Sequence, residues 1–123
     1  QPVNFLYPKQ SRRMSKKDIS NFRAWHKRAA LNAKEAGFDI VYVYAGHGMS
    51  VAQQFILPDM NNRTDEYGGS LENRLRLTRE LLEETQEAIG DSCGVAFRFA
   101  VDELKGKDGM QFKEEGRAVV ELL

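Results

Sequence analysis

Apolar residues recur at helical spacing in three stretches of the chain, and these stretches predict three amphipathic helices. The first begins at Ser15, where the sequence resembles a capping box, and ends at Gly37. The second begins at or near Ser70 and is stopped by Gly90. The third covers roughly residues 111–122. A long polar loop is predicted between the first strand described below and the second helix.

Two short apolar runs between these helices predict β-strands. They are FDIVYVY, Phe38 to Tyr44, and VAFRFA, Val95 to Ala100. The order helix, strand, helix, strand, helix predicts right-handed βαβ units and a parallel sheet in the α/β class. Two strands cannot bury both faces of such a sheet. The pattern therefore favours a section of a larger α/β domain over an unusually small α/β protein.

Composition and charge bear on the kinds of molecule that the chain could bind. Hydrophobic residues make up 41% and charged residues 29% of the 123 positions, with 18 basic and 18 acidic side chains. This balance gives no electrostatic support for nucleic-acid or anionic-membrane binding, and no apolar run is long enough to span a bilayer. The single cysteine, Cys93, is expected to be a packing residue, and a reducing, cytoplasmic setting is the corresponding expectation.

The stretch VYVYAGHGMS carries a candidate site. Functional groups of parallel α/β folds lie at the carboxyl ends of strands. Tyr44 is the last residue of the first predicted strand, and His47 follows in the turn, so both residues occupy such a position. Gly46 and Gly48 leave room for a flat ligand or for tightly packed backbone. Either Tyr44 and His47 hold a polar or cationic group together, or Tyr44 fills the core and His47 caps a turn. A single histidine without a nearby carboxylate does not predict a metal site.

Arg98 is a charge inside an apolar strand. Such a side chain should point into the core unless it lies near the strand end and meets an anion. It either offers its guanidinium to a carboxylate, a phosphate or an electron-rich ring, or forms a buried ion pair, for instance with Asp102. In the loop from Pro58 to Arg74, we expect the polar side chains to hold the loop together rather than to contact a substrate; they are Arg63, Asp65, Tyr67 and Arg74.

The stretch NNRTDEYGGSLENRLRL resembles the signature of the old yellow enzyme family of flavin-dependent barrel oxidoreductases. The resemblance extends from MSKKDI through AGFDIVYVYAGHG to VAFRFAVDEL, so it covers nearly the whole chain. It implies an eight-stranded (β/α)8 TIM barrel that binds FMN at its C-terminal face. Residues 1–123 would then be a partial domain from the central third of the barrel: helix 3, strand 4, helix 4, strand 5 and helix 5.

The turn after the fourth strand separates subgroups of this family. Ene-reductases usually carry His-x-x-His or His-x-x-Asn there, followed two residues later by a tyrosine proton donor. The corresponding positions are Tyr44, His47 and Met49. This pattern resembles the branch of trimethylamine, dimethylamine and histamine dehydrogenases and related N-demethylases. An NAD(P)H-dependent ene-reductase of the same fold, and an inactive isolated barrel fragment, are the alternatives.

The resemblance implies a role for each candidate residue. Tyr44 and His47 would be catalytic and, with Met49, would line the pocket for a small methylated amine, while Arg98 and Gly46 would contact FMN. The reaction would be oxidative dehydrogenation or N-demethylation, with hydride transfer to FMN. A four-iron–four-sulfur cluster, an electron-accepting partner protein and a homo-oligomeric assembly are implied only for a longer parent protein, because this chain holds no ligands for the cluster.

Overall fold

The computed structural model describes residues 12–123, apart from the side chain of Asp108. Short 3-10 turns at Gly90–Ser92 and Gly106–Asp108 and a π-helical turn at Phe112–Gly116 accompany the regular elements. The elements, in chain order, are α1 (Lys16–Glu35), β1 (Ile40–Ala45), α2 (Val51–Ile56), α3 (Leu71–Ile89), β2 (Gly94–Phe99) and α4 (Arg117–Leu122).

The predicted ends of the first two helices are confirmed. Ser15 Oγ accepts the backbone N–H of Asp18 at 3.2 Å, and the Asp18 carboxylate accepts the N–H of Ser15 at 2.7 Å, which completes the capping box. Hydrogen bonds from Arg12 and then from Ser15 hold the pKa of Asp18 far below its usual range. Ser70 caps α3, and Gly90 ends it with a positive φ of 59°.

Three predicted boundaries are wrong. The first strand begins at Ile40, because the N–H of Phe38 donates to the Ala33 carbonyl at 3.1 Å and so closes the end of α1. Residues 51–56, assigned from sequence to the polar loop, form α2. The third helix opens as a π-helical turn, in which Gly116 packs so closely on the Val101 carbonyl that a Cβ would lie 2.0 Å from its oxygen.

The strands form a parallel two-stranded sheet, as predicted, with Ile40 opposite Gly94. The helices cover one face, where Val43 and Ala45 are buried. The opposite face is open within residues 12–123: Ile40 is 51% exposed and Tyr42 58%. Buried side chains from every helix and from β1 form one core, including Ile19, Val43, Phe55, Leu77, Leu81 and Val119.

Cys93 is a packing residue, as predicted. It is buried with Ala30 and Ile89 at the amino-terminal end of the sheet. Its thiol donates a hydrogen bond to the Phe38 carbonyl at 3.1 Å, a bond consistent with a structural cysteine.

The polar loop is held by its own side chains, as predicted. Arg63 donates to the Asp65 carboxylate at 2.9 Å and to the Met14 carbonyl at 2.7 Å, and its hydrogen bond lowers the pKa of Asp65. The Tyr67 hydroxyl donates to Glu80 at 3.0 Å. Burial, with Glu80 as a second cause, raises the pKa of Tyr67, so this hydroxyl stays protonated and remains a donor.

Arg74 connects three segments from a buried position on α3. It is 4% exposed and donates to the carbonyls of Ile56, at the end of α2, and of Gly69, in the loop. It also pairs with the Glu115 carboxylate in the π-helical turn at 2.5 Å. The guanidinium therefore fixes α2 against α3 and against the segment that follows β2.

We predict that Arg74→Met lowers the free energy of unfolding of the complete protein by about 2 kcal/mol, because it leaves buried acceptors without a donor. Chemical denaturation followed by circular dichroism measures this change. Arg76→Met, at an exposed arginine on the same helix, is the matched control and should change stability by less than about 0.5 kcal/mol. Equal effects of the two substitutions would contradict the role assigned to Arg74.

His26 is half-buried between α1 and α3. Thr85 donates its hydroxyl proton to the Leu81 carbonyl at 2.6 Å, so its oxygen accepts from Nδ1–H of His26, 3.3 Å away. Burial lowers the pKa of His26. The folded state therefore holds this imidazole neutral more strongly than the unfolded state does.

This pKa shift predicts a pH dependence of stability. In the unfolded chain the imidazole gains its proton near pH 6.5, whereas in the folded chain it does so at lower pH. Stability should therefore fall as the pH falls below about 6.5. Denaturation midpoints measured between pH 7.5 and pH 5 should decline less in His26→Asn, whose amide oxygen or nitrogen can still bond Thr85. An undiminished decline in the variant would exclude His26 as its source.

Candidate active site

The turn after β1 brings two of the predicted residues together. The Tyr44 hydroxyl and His47 Nδ1 share a hydrogen bond, and the two ring centroids lie 6.0 Å apart. His47 has a φ of 58°, a left-handed conformation that is uncommon for residues other than glycine. This conformation folds the imidazole back over the end of the strand toward Tyr44.

Gly46 lets the Tyr44 side chain lie over this turn. A Cβ at position 46 would stand 2.9 Å from the Tyr44 hydroxyl oxygen and 3.1 Å from its ring carbon Cζ. Real side chains do not approach this closely, so the absence of a side chain at Gly46 makes room for the phenol. Gly46 was predicted to contact FMN; its visible role is to accommodate Tyr44, and the FMN contact stays a prediction.

α2, which the sequence analysis missed, supports the same turn. The buried Gln53 side chain accepts the N–H of Gly48, and Gln54 donates to the Gly48 carbonyl at 3.4 Å. Ser50 caps the helix by accepting the N–H of Gln53 at 3.3 Å. The signal was present, because Ser50 and Gln53 have the Ser-x-x-Gln spacing of a capping box.

Arg98 lies beside Tyr44 on the neighbouring strand. The register places the two residues opposite each other, and Arg98 Cζ is 5.7 Å from the centroid of the Tyr44 ring. A cation at this distance is attracted to the ring face. Tyr44 therefore contacts Arg98 through its ring and His47 through its hydroxyl.

The alternative of a buried ion pair between Arg98 and Asp102 is wrong. Arg98 is exposed on the open face of the sheet. The Asp102 carboxylate instead accepts the backbone N–H of Leu104 at 2.7 Å and of Phe112 at 3.1 Å, and these bonds lower its pKa. Among residues 12–123, Arg98 has no carboxylate partner within salt-bridge distance.

The position of Arg98 fits a flavin. Its guanidinium is exposed at the carboxyl end of β2, and no described carboxylate neutralises it. It can therefore donate to an anionic or electron-rich ring edge placed over the open face of the sheet. Arg98 and the Tyr44–Gly46 surface are the groups of this chain that could hold FMN there.

Met49 and a cavity beside α2 do not belong to this pair. Met49 is 69% exposed, two residues beyond His47, and its predicted contact with substrate stays a prediction. A cavity of about 250 Å³ lies on the other side of α2; its lining includes Arg13, Val51, Gln54, Phe55, Met60 and Arg63. None of the predicted site residues lines it.

The described residues contain neither a cluster of metal-binding side chains nor a membrane-spanning helix. No group of three or more histidine, cysteine, aspartate or glutamate side chains between residues 12 and 123 is placed to hold a metal ion. In the same range, each helix is too short or too polar to cross a bilayer.

Residues 3–122 match the NADH:flavin oxidoreductase / NADH oxidase family, an FMN-dependent class of TIM-barrel oxidoreductases. The chain belongs to this family, and the resemblance found in its sequence is confirmed. The helix–strand order and the parallel sheet are those of part of the barrel.

Individual relatives include amine-oxidising enzymes and a reductase. The chain is 42% identical to dimethylamine dehydrogenase of Hyphomicrobium sp. (strain x) over 105 residues, which is 85% of this chain and 14% of that protein. It is also 42% identical to 12-oxophytodienoate reductase 7 of Oryza sativa subsp. japonica over 118 residues, 95% of this chain and 29% of the reductase.

This chain is also similar to the solved structure of an amine oxidase. The 6-hydroxypseudooxynicotine amine oxidase of Pseudomonas geniculata N1 superimposes with a TM-score of 0.87 at 47% identity, over 94% of this chain and 18% of the oxidase. The chain thus spans less than a third of each of these three proteins. The activity of the complete protein is therefore a matter for proposal.

We predict that Gly46→Ala displaces the Tyr44 phenol, because the added methyl group would occupy the space beside its hydroxyl. A crystal structure of the variant should show the Tyr44–His47 hydrogen bond broken. Gly94→Ala is the control: its Cβ would lie 3.6 Å from the nearest atom, an ordinary contact, and should leave the pair intact. An unmoved Tyr44 in the Gly46 variant would show that the turn can yield instead.

Proposed function

We propose that the complete protein is an FMN-dependent dehydrogenase or N-demethylase of a small methylated amine. The observation that carries this proposal is the hydrogen-bonded pair of Tyr44 and His47, placed beside an exposed Arg98 at the carboxyl ends of the strands. An amine pocket needs groups that orient nitrogen next to the cofactor. A tyrosine hydroxyl, its ring face and an imidazole meet that need.

In this proposal the pair orients the amine. In the tautomer that leaves Nδ1 without a proton, His47 accepts a hydrogen bond from the Tyr44 hydroxyl. The lone pairs of the Tyr44 oxygen then face the amine, while the ring face that Arg98 does not cover favours the positive charge that develops next to nitrogen. Such orientation lowers the activation barrier of the reaction, because the reacting C–H bond is already held in the reactive geometry.

The bond changes are those of an amine oxidation. A C–H bond next to nitrogen breaks, and the nitrogen lone pair forms the C=N bond of an iminium ion. FMN, when bound, would accept the hydrogen of that C–H bond together with its bonding electron pair, which is a hydride equivalent. Water then adds to the iminium carbon, and C–N cleavage releases the demethylated amine and an aldehyde. Arg98 would stabilise negative charge at the edge of the cofactor.

A second candidate is an NAD(P)H-dependent ene-reductase. The rice 12-oxophytodienoate reductase supports it, since its identity to this chain equals that of the dimethylamine dehydrogenase. Against it stands Met49, a thioether at the position where the resemblance expects the tyrosine proton donor of an ene-reductase. A methionine has no proton to give to a reduced alkene.

We predict that Tyr44→Phe lowers kcat/KM for a methylated amine at least about tenfold, because it removes the hydroxyl that orients the nitrogen. The flavin absorption spectrum of the purified protein should be retained. Tyr42→Phe is the matched control, because Tyr42 lies on the same face of β1 and takes part in no hydrogen bond of the site. Stopped-flow reduction of the bound flavin by dimethylamine measures both variants.

Two results would decide against the proposal. Unchanged amine turnover in Tyr44→Phe would remove Tyr44 from the reaction. Rapid flavin reduction by NADPH, with none by trimethylamine, dimethylamine or histamine, would establish the ene-reductase instead.

A further inference from the structure

Gln53 is a buried polar side chain that the proposed chemistry does not use. It is 2% exposed and lies in the first turn of α2. Its side-chain oxygen accepts the backbone N–H of Gly48. A buried amide is costly unless it is hydrogen-bonded, and this one meets the backbone of the turn that carries His47.

The bond acts on a strained part of the turn. His47 and Gly48 both adopt left-handed conformations, with φ values of 58° and 66°. This region is unfavourable for a non-glycine residue, so neighbouring contacts must hold His47 there. The peptide group between the two residues carries the N–H that Gln53 accepts, and its orientation depends on ψ of His47 and φ of Gly48. Gln53 thus fixes the backbone on the carboxyl side of the imidazole.

The helix that carries Gln53, α2, is held in place by hydrogen bonds at both of its ends. Arg74 donates to the Ile56 carbonyl at the end of α2, and Asn61 donates to the Phe55 carbonyl at 2.6 Å. Ser50 caps the start of the helix. Both ends of α2 are therefore tied down, and the position of the Gln53 amide is set by contacts that lie outside the turn.

We propose that Gln53 is a positioning residue, which holds His47 in the left-handed conformation that places Nδ1 on the Tyr44 hydroxyl. The inference rests on the proposed function, in which that pair orients the amine. Without the Gln53 acceptor, the peptide after His47 is free to rotate, residue 47 relaxes to negative φ, and the imidazole leaves Tyr44.

The test is a double-mutant cycle in the complete flavin-loaded protein, built from Gln53→Met, His47→Ala and the double variant. Methionine keeps the length of glutamine and removes the strong acceptor. We expect Gln53→Met to lower kcat/KM for dimethylamine about tenfold, with an unchanged flavin spectrum. In the His47→Ala background the same substitution should change the rate less than about twofold, because its effect passes through His47. Gln86→Met, at an exposed glutamine of α3, is the matched control and should match the unsubstituted protein.

A crystal structure of Gln53→Met gives a readout independent of turnover, and it should show residue 47 at negative φ. Should this variant fail to fold, Gln53→Glu, which keeps an acceptor oxygen, should hold positive φ at residue 47 and retain the rate within about threefold. Multiplicative losses in the cycle, or a displaced His47 with full amine turnover, would overturn the role of Gln53. Unchanged turnover in both His47→Ala and Tyr44→Phe would instead overturn the proposed function and leave the structural contact standing.

Discussion

The parallel register of the two strands is the constraint on which the candidate site depends. It places Tyr44 opposite Arg98 and directs both side chains to the open face of the sheet. A shift of one residue would turn Arg98 onto the face that the helices cover, where a charge would lie among Val43 and Ala45. The helix-covered core therefore fixes the register, and the register fixes the site.

The site also depends on contacts that do not belong to the strands. The arginine at position 74 holds α2, and α2 holds the turn that carries His47. This arrangement separates two tasks. The sheet sets the direction of the Tyr44 and Arg98 side chains. The short helix α2, which packs outside the sheet, determines the position of the His47 imidazole. Loops that carry chemistry on a barrel rim need such support, because backbone alone does not keep a left-handed residue in place.

Much of the fold could be predicted from local chemistry. The capping box at Ser15, the stop at Gly90 and the alternation of strands and helices are short-range signals, and the structure confirms them. α2 was missed because six residues give too little periodicity, although Ser50 and Gln53 carried a capping signal. The exposure of Arg98 could not be predicted, since it depends on what covers the second face of the sheet. The pairing of Tyr44 with His47 was one of two alternatives that their spacing left open, and the positive φ of His47 that achieves it was not predicted.

The close packing of Tyr44 on Gly46 has a consequence for how such sites change over evolutionary time. A side chain at position 46 would displace the phenol from where it now lies, so what position 46 tolerates depends on how position 44 is occupied. A lineage that acquires alanine at 46 would have to move the phenol or the turn to keep the tyrosine–histidine contact. Substitutions at 44 and 46 are then expected to have non-additive effects on this contact, because the two side chains would compete for the same space.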